Sequence, residues 1–199
     1  MKRNIGICAL FFIFLISACS PDIKNTNPSG DNIICFGDSL TFGTGASTGM
    51  DYPARLSLMI HQPVINAGRP GDTTTSALER LDEAVLLKSP RMVLMTLGGN
   101  DLKNGVPKEI AFQNLRIIIE RMQDQGALVI LGGIKLILMD KGYGKEYERL
   151  CREMGVVYIP HILSGIMGKR EKMSDPIHPN DEGYALMAEK FYKALKPYL

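Results

Sequence analysis

From Asn32 onward, short apolar runs alternate with longer stretches whose apolar residues recur at helical spacing. The runs are Ile33-Ile34-Cys35-Phe36, Val64-Ile65, Met92 to Leu97, Leu128 to Leu131 and Val156 to Ile159. Each is nearly continuous in hydrophobicity, the pattern of parallel strands covered on both faces. Between the third and fourth runs, Leu115, Ile118, Ile119 and Met122 fall at i, i+3, i+4 and i+7, predicting a helix that begins behind Pro107 and stops at Gly126. Tyr184, Met187, Ala188, Phe191 and Leu195 form another stripe, with Asn180 as its N-cap and Asp181 and Glu182 in the first turn. Five strands with intervening helices predict a doubly wound α/β sandwich, and in such sheets functional residues gather beyond the strand carboxyl ends.

The first residues stand outside this pattern. Lys2 and Arg3 precede an apolar run from Ile5 to Ile16, too short for a spanning helix of roughly 20 residues and suited to the core of a signal peptide. The run closes with Leu15-Ile16-Ser17-Ala18-Cys19, which resembles the lipobox of bacterial lipoproteins and implies cleavage before Cys19 and lipidation of its sulfur. An ordinary small-residue cleavage site, giving a soluble secreted protein, is the alternative. Ser20 to Asp31, with Pro21, Asn25, Asn27, Pro28, Ser29 and Gly30, has the composition of a tether.

The formal charge is +2, and it vanishes if Lys2 and Arg3 leave with a signal peptide. That balance gives no electrostatic case for nucleic acid. Of the four cysteines, Cys8 falls in the leader and Cys19 in the lipobox. Cys35 and Cys151 read as small buried hydrophobes, and no Cys/His cluster suggests a metal site.

Candidate chemistry follows the strands. Gly37-Asp38-Ser39-Leu40 stands directly after the first run, where a serine on a tight strand-to-helix turn exposes its hydroxyl beside a backbone N–H. Gly-Asp-Ser also makes a plain turn, and Thr41 departs from the Gly-x-Ser-x-Gly elbow of α/β-hydrolases. Asn66-Ala67-Gly68-Arg69-Pro70-Gly71-Asp72-Thr73 follows the second run and Gly98-Gly99-Asn100-Asp101 the third. A glycine N–H and an asparagine amide are suitable donors for charge developing on a carbonyl oxygen. Near the C-terminus stands Asp175-Pro176-Ile177-His178-Pro179-Asn180, in which a carboxylate three residues before a histidine can reach its Nδ1. His61, behind a helix, and His161, at the end of the fifth run, have no acidic residue placed in that way.

Taken in this order, the four blocks resemble the GDSL/SGNH hydrolase family, and within it the periplasmic thioesterase, lysophospholipase and arylesterase group. The resemblance runs from Ile33 to the final helix and includes Tyr143-Gly144 and Tyr147. It implies a flavodoxin-like three-layer α/β/α sandwich with a five-stranded parallel sheet, and hydrolysis of acyl esters without metal or organic cofactor. Residue by residue, Ser39 matches the nucleophile and supplies an N–H to the oxyanion hole. Gly71 and Asn100 match its other two donors, with Gly68 a second candidate for the glycine. His178 matches the base and Asp175 its orienting partner. Pro70 departs from the small serine frequent in that group, and because proline removes only its own N–H, the Gly71 donor survives. Asp38 and Asp101 are expected to tie loops together rather than to react.

The resulting organisation is a lipoprotein signal peptide over residues 1–18, a lipidated N-terminus and linker over 19–30, and a hydrolase domain over 31–199. The expected protein is an exported, membrane-anchored, monomeric esterase of the cell envelope acting on small-molecule or lipid acyl esters. An acetylesterase acting on envelope polysaccharide and a non-catalytic binding lipoprotein are the alternatives, since a fold alone does not fix function.

Overall fold

A computed structural model describes residues 22–135 and 142–199. The strands are β1 (Asn32–Gly37), β2 (Val64–Gly68), β3 (Pro90–Thr96), β4 (Leu128–Gly132) and β5 (Val157–Ile159). The helices are α1 (Ser39–Phe42), α2 (Tyr52–Ile60), α3 (Thr74–Glu79), α4 (Leu81–Ala84), α5 (Gly99–Asn104), α6 (Lys108–Asp124), α7 (Tyr143–Met154) and α8 (Asp181–Leu195). All strand pairings are parallel, in the order β2-β1-β3-β4-β5. This is the flavodoxin-type arrangement, with its switch point between β1 and β3.

Strand alternation builds two cores. Ile34, Phe36, Val93, Met95, Val129 and Leu131 face α3, α4, α6 and α7, whereas Ile33, Cys35, Met92, Leu94, Leu128 and Ile130 face α1, α2 and α8. The three central strands are buried on both faces, hence their unbroken hydrophobic runs. The edge strand β2 extends through Asn66 to Gly68, past the apolar Val64-Ile65 pair, because an edge tolerates the exposed Asn66. Cys35 and Cys151 are free, buried thiols in opposite cores.

The helix termini follow local chemistry. Pro107 caps α6, and the chain leaves it through Gly126 at φ 81°. Asn180 caps α8, its side chain accepting from the N–H groups of Glu182 and Gly183.

The segment with tether composition is docked on the domain from Asp22 onward. Asn25 Nδ2 donates to the carbonyls of Gln123 (2.9 Å) and Ala127 (3.0 Å), and Lys24 N–H to Gly155 O (2.9 Å). Ile23 packs on the α8-side core. The signal-peptide segment and Cys19 lie outside the described residues.

Candidate active site

Ser39 stands where β1 breaks into α1. Asp38 follows the last residue of the strand and caps the helix, its Oδ1 accepting from Leu40 N–H at 3.0 Å. That leaves the Ser39 N–H, at the first helical position, without an acceptor among the described residues. The turn is tight enough that α1 lies directly on β2: a Cβ on Gly68 would sit 2.1 Å from Phe42 N. Burial pushes the Asp38 carboxyl up to about 7. The Leu40 N–H opposes the rise and the Asp72 and Asp101 carboxylates add to it.

His178 is presented by a loop that folds back before α8. Met173 and Pro179 form an antiparallel bridge across it, and Ser174 N–H donates to His178 O at 2.9 Å. The His178 Nε2 lies 3.0 Å from Ser39 Oγ, and its Nδ1 lies 2.6 Å from Asp175 Oδ2. The other Asp175 oxygen accepts from the backbone N–H groups of Ile177 and His178, both at 2.8 Å. Partial burial works to raise the Asp175 carboxyl, but these donors, with the His178 ring, outweigh it and bring it down to about 2. An ionised carboxylate only accepts, so Nδ1 carries the proton and Nε2 is left to accept from the serine hydroxyl.

Two bonds tie the first turn of α8, directly behind the histidine loop, to the segment that follows α1. Ser47 N–H donates to Asp181 Oδ1 at 2.7 Å, and Tyr184 OH to Thr44 O at 2.8 Å.

The donor candidates lie on the neighbouring strand ends. Gly68 N–H is engaged by Asn66 Oδ1 at 2.9 Å, whereas Gly71 N–H has no acceptor among the described residues. Gly71 adopts φ 86°, which favours glycine, with open space around its Cβ position. Asn100, in the first turn of α5, donates through Nδ2 to Asp72 O at 2.9 Å and lies 3.5 Å from Asp38 Oδ2. Asp101 is buried and accepts from the Thr74 N–H (2.9 Å) and hydroxyl (2.7 Å), a tie between loops.

Ser39, Asn100 and His178 line one cavity of ≈ 200 Å³. Its other walls are Leu40, Ile134, Leu163, Met167 and Ile177, with Asp38, Gly99 and Lys103 completing the lining. Gly71 is on the adjoining loop, one residue before the carbonyl that holds Asn100. The structure thus brings Ser39, His178, Asp175 and Asn100 into one connected cluster.

His61 is an exposed helix C-cap, and the ring that meets Ser39 belongs to His178, not to His161. Sequence reasoning missed the wall residues Ile134, Leu163 and Met167, which look like any other core positions. Arg80 was not marked either, since it meets Asp72, Ala67 and Gly37 across 8, 13 and 43 positions.

Residues 35–186 match the GDSL-like lipase/acylhydrolase family, and the chain belongs to that family. It is an enzyme of the GDSL/SGNH hydrolase type. It is 29% identical to an arylesterase of Vibrio mimicus over 98% of this chain and 100% of the relative. It is 31% identical to thioesterase 1/protease 1/lysophospholipase L1 of Escherichia coli K12, covering 85% of each. The crystal structure of TesA superimposes with a TM-score of 0.80 at 27% identity, covering 85% of this chain and all of that one.

Proposed function

We propose that this chain hydrolyses carboxylic esters of short to medium acyl chains through an acyl-enzyme on Ser39. The observation that carries the reading is the unbroken relay from Asp175 through the His178 ring to Ser39 Oγ, with spacings of 2.6 and 3.0 Å, at the wall of an apolar cavity. Ser39 Oγ attacks the ester carbonyl while His178 Nε2 takes its proton. The charge on the carbonyl oxygen is met by the N–H groups of Ser39 and Gly71 and by Asn100 Nδ2. His178 then protonates the departing alcohol or thiol, and a water activated by the same ring releases the acid.

Leu40, Ile134, Leu163, Met167 and Ile177 supply the acyl-binding wall. An engineered cavity of about 150 Å³ holds benzene, so a space of ≈ 200 Å³ suits a chain of several carbons rather than an acetyl group alone. Aryl esters, thioesters and lysophospholipids, named for the relatives above, are the substrates to assay first. Ser39→Ala should lower turnover of p-nitrophenyl butyrate by at least about 10⁴-fold; a variant of wild-type activity overturns the assignment. A polysaccharide acetylesterase would instead lose rate sharply beyond C2.

The Leu15 to Cys19 pattern further supports an exported, lipid-anchored protein of the cell envelope. Labelling of expressing cells with radioactive palmitate tests this: incorporation should vanish in Cys19→Ala, and its persistence would refute the anchor.

A further inference from the structure

We propose that Arg80 is a positioning residue for the oxyanion-stabilising groups. This rests on the assignment of Ser39, Gly71 and Asn100 as those groups. Arg80 caps the C-terminus of α3, and its side chain is only 16% exposed. Its guanidinium reaches three segments. Nε donates to Asp72 Oδ2 at 2.6 Å, and Nη2 donates to Gly37 O at 3.0 Å and to Ala67 O at 2.9 Å. Its plane is steadied over the Phe36 ring, 4.6 Å from Cζ to centroid.

Each anchor leads to a different donor. Gly37 is the last residue of β1, two positions before Ser39. Asp72 follows Gly71 directly, and its own carbonyl accepts from Asn100 Nδ2 at 2.9 Å. Ala67 belongs to the end of β2, from which the Gly71 loop departs. One planar cation therefore fixes the serine turn, the glycine loop and, through Asp72, the asparagine amide relative to one another.

Arg69 pairs with the other Asp72 oxygen at 2.6 Å, but its side chain is half exposed and its second contact, Ser76 O, lies in the first turn of α3, directly behind the same loop. The Arg69 backbone N–H also donates to Gly37 O at 2.9 Å, but among the described residues Arg80 alone joins the Asp72 side chain to the ends of both β1 and β2. Lysine cannot replace it, because an ammonium on a flexible stem lacks the fork that serves a carboxylate and two carbonyls together. Donors aimed at a tetrahedral oxyanion lose their value when displaced by a fraction of an ångström, whereas substrate held by the apolar wall does not depend on them.

The test compares wild type, Arg80→Lys, Asp72→Asn and Arg121→Gln, the last removing an exposed arginine that pairs with Asp82 and does not line the cavity. Hydrolysis of p-nitrophenyl butyrate, inhibition by butylboronic acid, which forms a tetrahedral adduct, and thermal unfolding are measured on each. Arg80→Lys and Asp72→Asn should lower kcat about 10- to 100-fold with KM within about threefold, and raise the boronate Ki by a similar factor. Arg121→Gln should match wild type. Should Arg80→Lys not fold, the near-isosteric Asp72→Asn carries the same prediction. Wild-type kcat and boronate affinity in the folded variants, or a loss no larger than the unfolded fraction, would overturn the inference. That outcome is distinct from failure of the underlying reading, which would appear as undiminished hydrolysis by Ser39→Ala, for the nucleophile, or by Asn100→Ala, for the donor set.

Discussion

Asp175 grips His178 at two points, its Oδ2 at the ring Nδ1 (2.6 Å) and its Oδ1 at the residue's own backbone N–H (2.8 Å). The carboxylate therefore sets the ring's orientation and its tautomer together. Asp175→Asn keeps the shape but presents a group that can donate to Nδ1, which moves the ring proton to Nε2 and removes the acceptor facing Ser39. We expect kcat to fall about 10³- to 10⁴-fold with little change in KM. Because Asp175 ionises at about 2, any loss of wild-type activity between pH 4 and pH 6 has another origin, and a kcat profile over that range checks this.

Asp38 carries the opposite electrostatics. Its carboxyl is drawn up from 3.8 to about 7 by burial, so between those values the folded protein holds a proton that the unfolded chain has released. Stability should decline as pH rises across that window and level off above it, by up to about 4 kcal/mol from this group. Asp38→Asn removes the titration. Its stability relative to wild type should therefore grow between pH 4 and pH 8, as read from urea midpoints at constant ionic strength. A pH-independent difference would mean that Asp38 is ionised throughout. The same change turns a donor toward Asn100 Nδ2, 3.5 Å away in the native protein, and should lower kcat about tenfold.

Lys190 shapes the acyl wall from behind. Its ammonium donates to the carbonyls of Ile162 (2.8 Å) and Ser164 (2.5 Å), with His161 O at 3.4 Å, and so secures the turn that places Leu163 in the cavity. Lys190→Met should cost about 1–3 kcal/mol of stability. It should also lower kcat/KM for C8 esters more than for C2 esters. An unchanged chain-length profile would show that the wall does not depend on this tie.

Residues 22–30 contribute hydrogen bonds and the Ile23 contact. A chain beginning at Asp31 should be about 2–4 kcal/mol less stable than one beginning at Ser20, a fall of roughly 5–12 °C in Tm. Equal Tm values would make the docking energetically empty.

The residues legible in the sequence are those whose chemistry is local. Asp175 and His178 are three positions apart in one loop, Ser39 abuts a strand, and the α8 N-cap lies next to the residues it serves. Apolar periodicity marked β1, β3, β4, α6 and α8 because burial on a sheet or a helix face imposes it. What stayed hidden depends on long-range pairing. Arg80 meets Gly37 across 43 positions, and Asn25 meets Gln123 and Ala127 across 98 and 102. Asn25 therefore reads as linker, and nothing in the sequence next to Arg80 marks it. Ile134, Leu163 and Met167 line a cavity with the same side chains that fill a core. The short helices α1, α3 and α4 complete too few turns to show a period.

Active-site labelling tests whether Ser39 is a nucleophile activated by His178. The folded protein is incubated with a fluorophosphonate, and the adduct is located by peptide mass spectrometry. One adduct per chain is expected, on Ser39, with its loss or marked slowing in His178→Ala. Modification of a different residue, or undiminished labelling of Ser39 in His178→Ala, would contradict it.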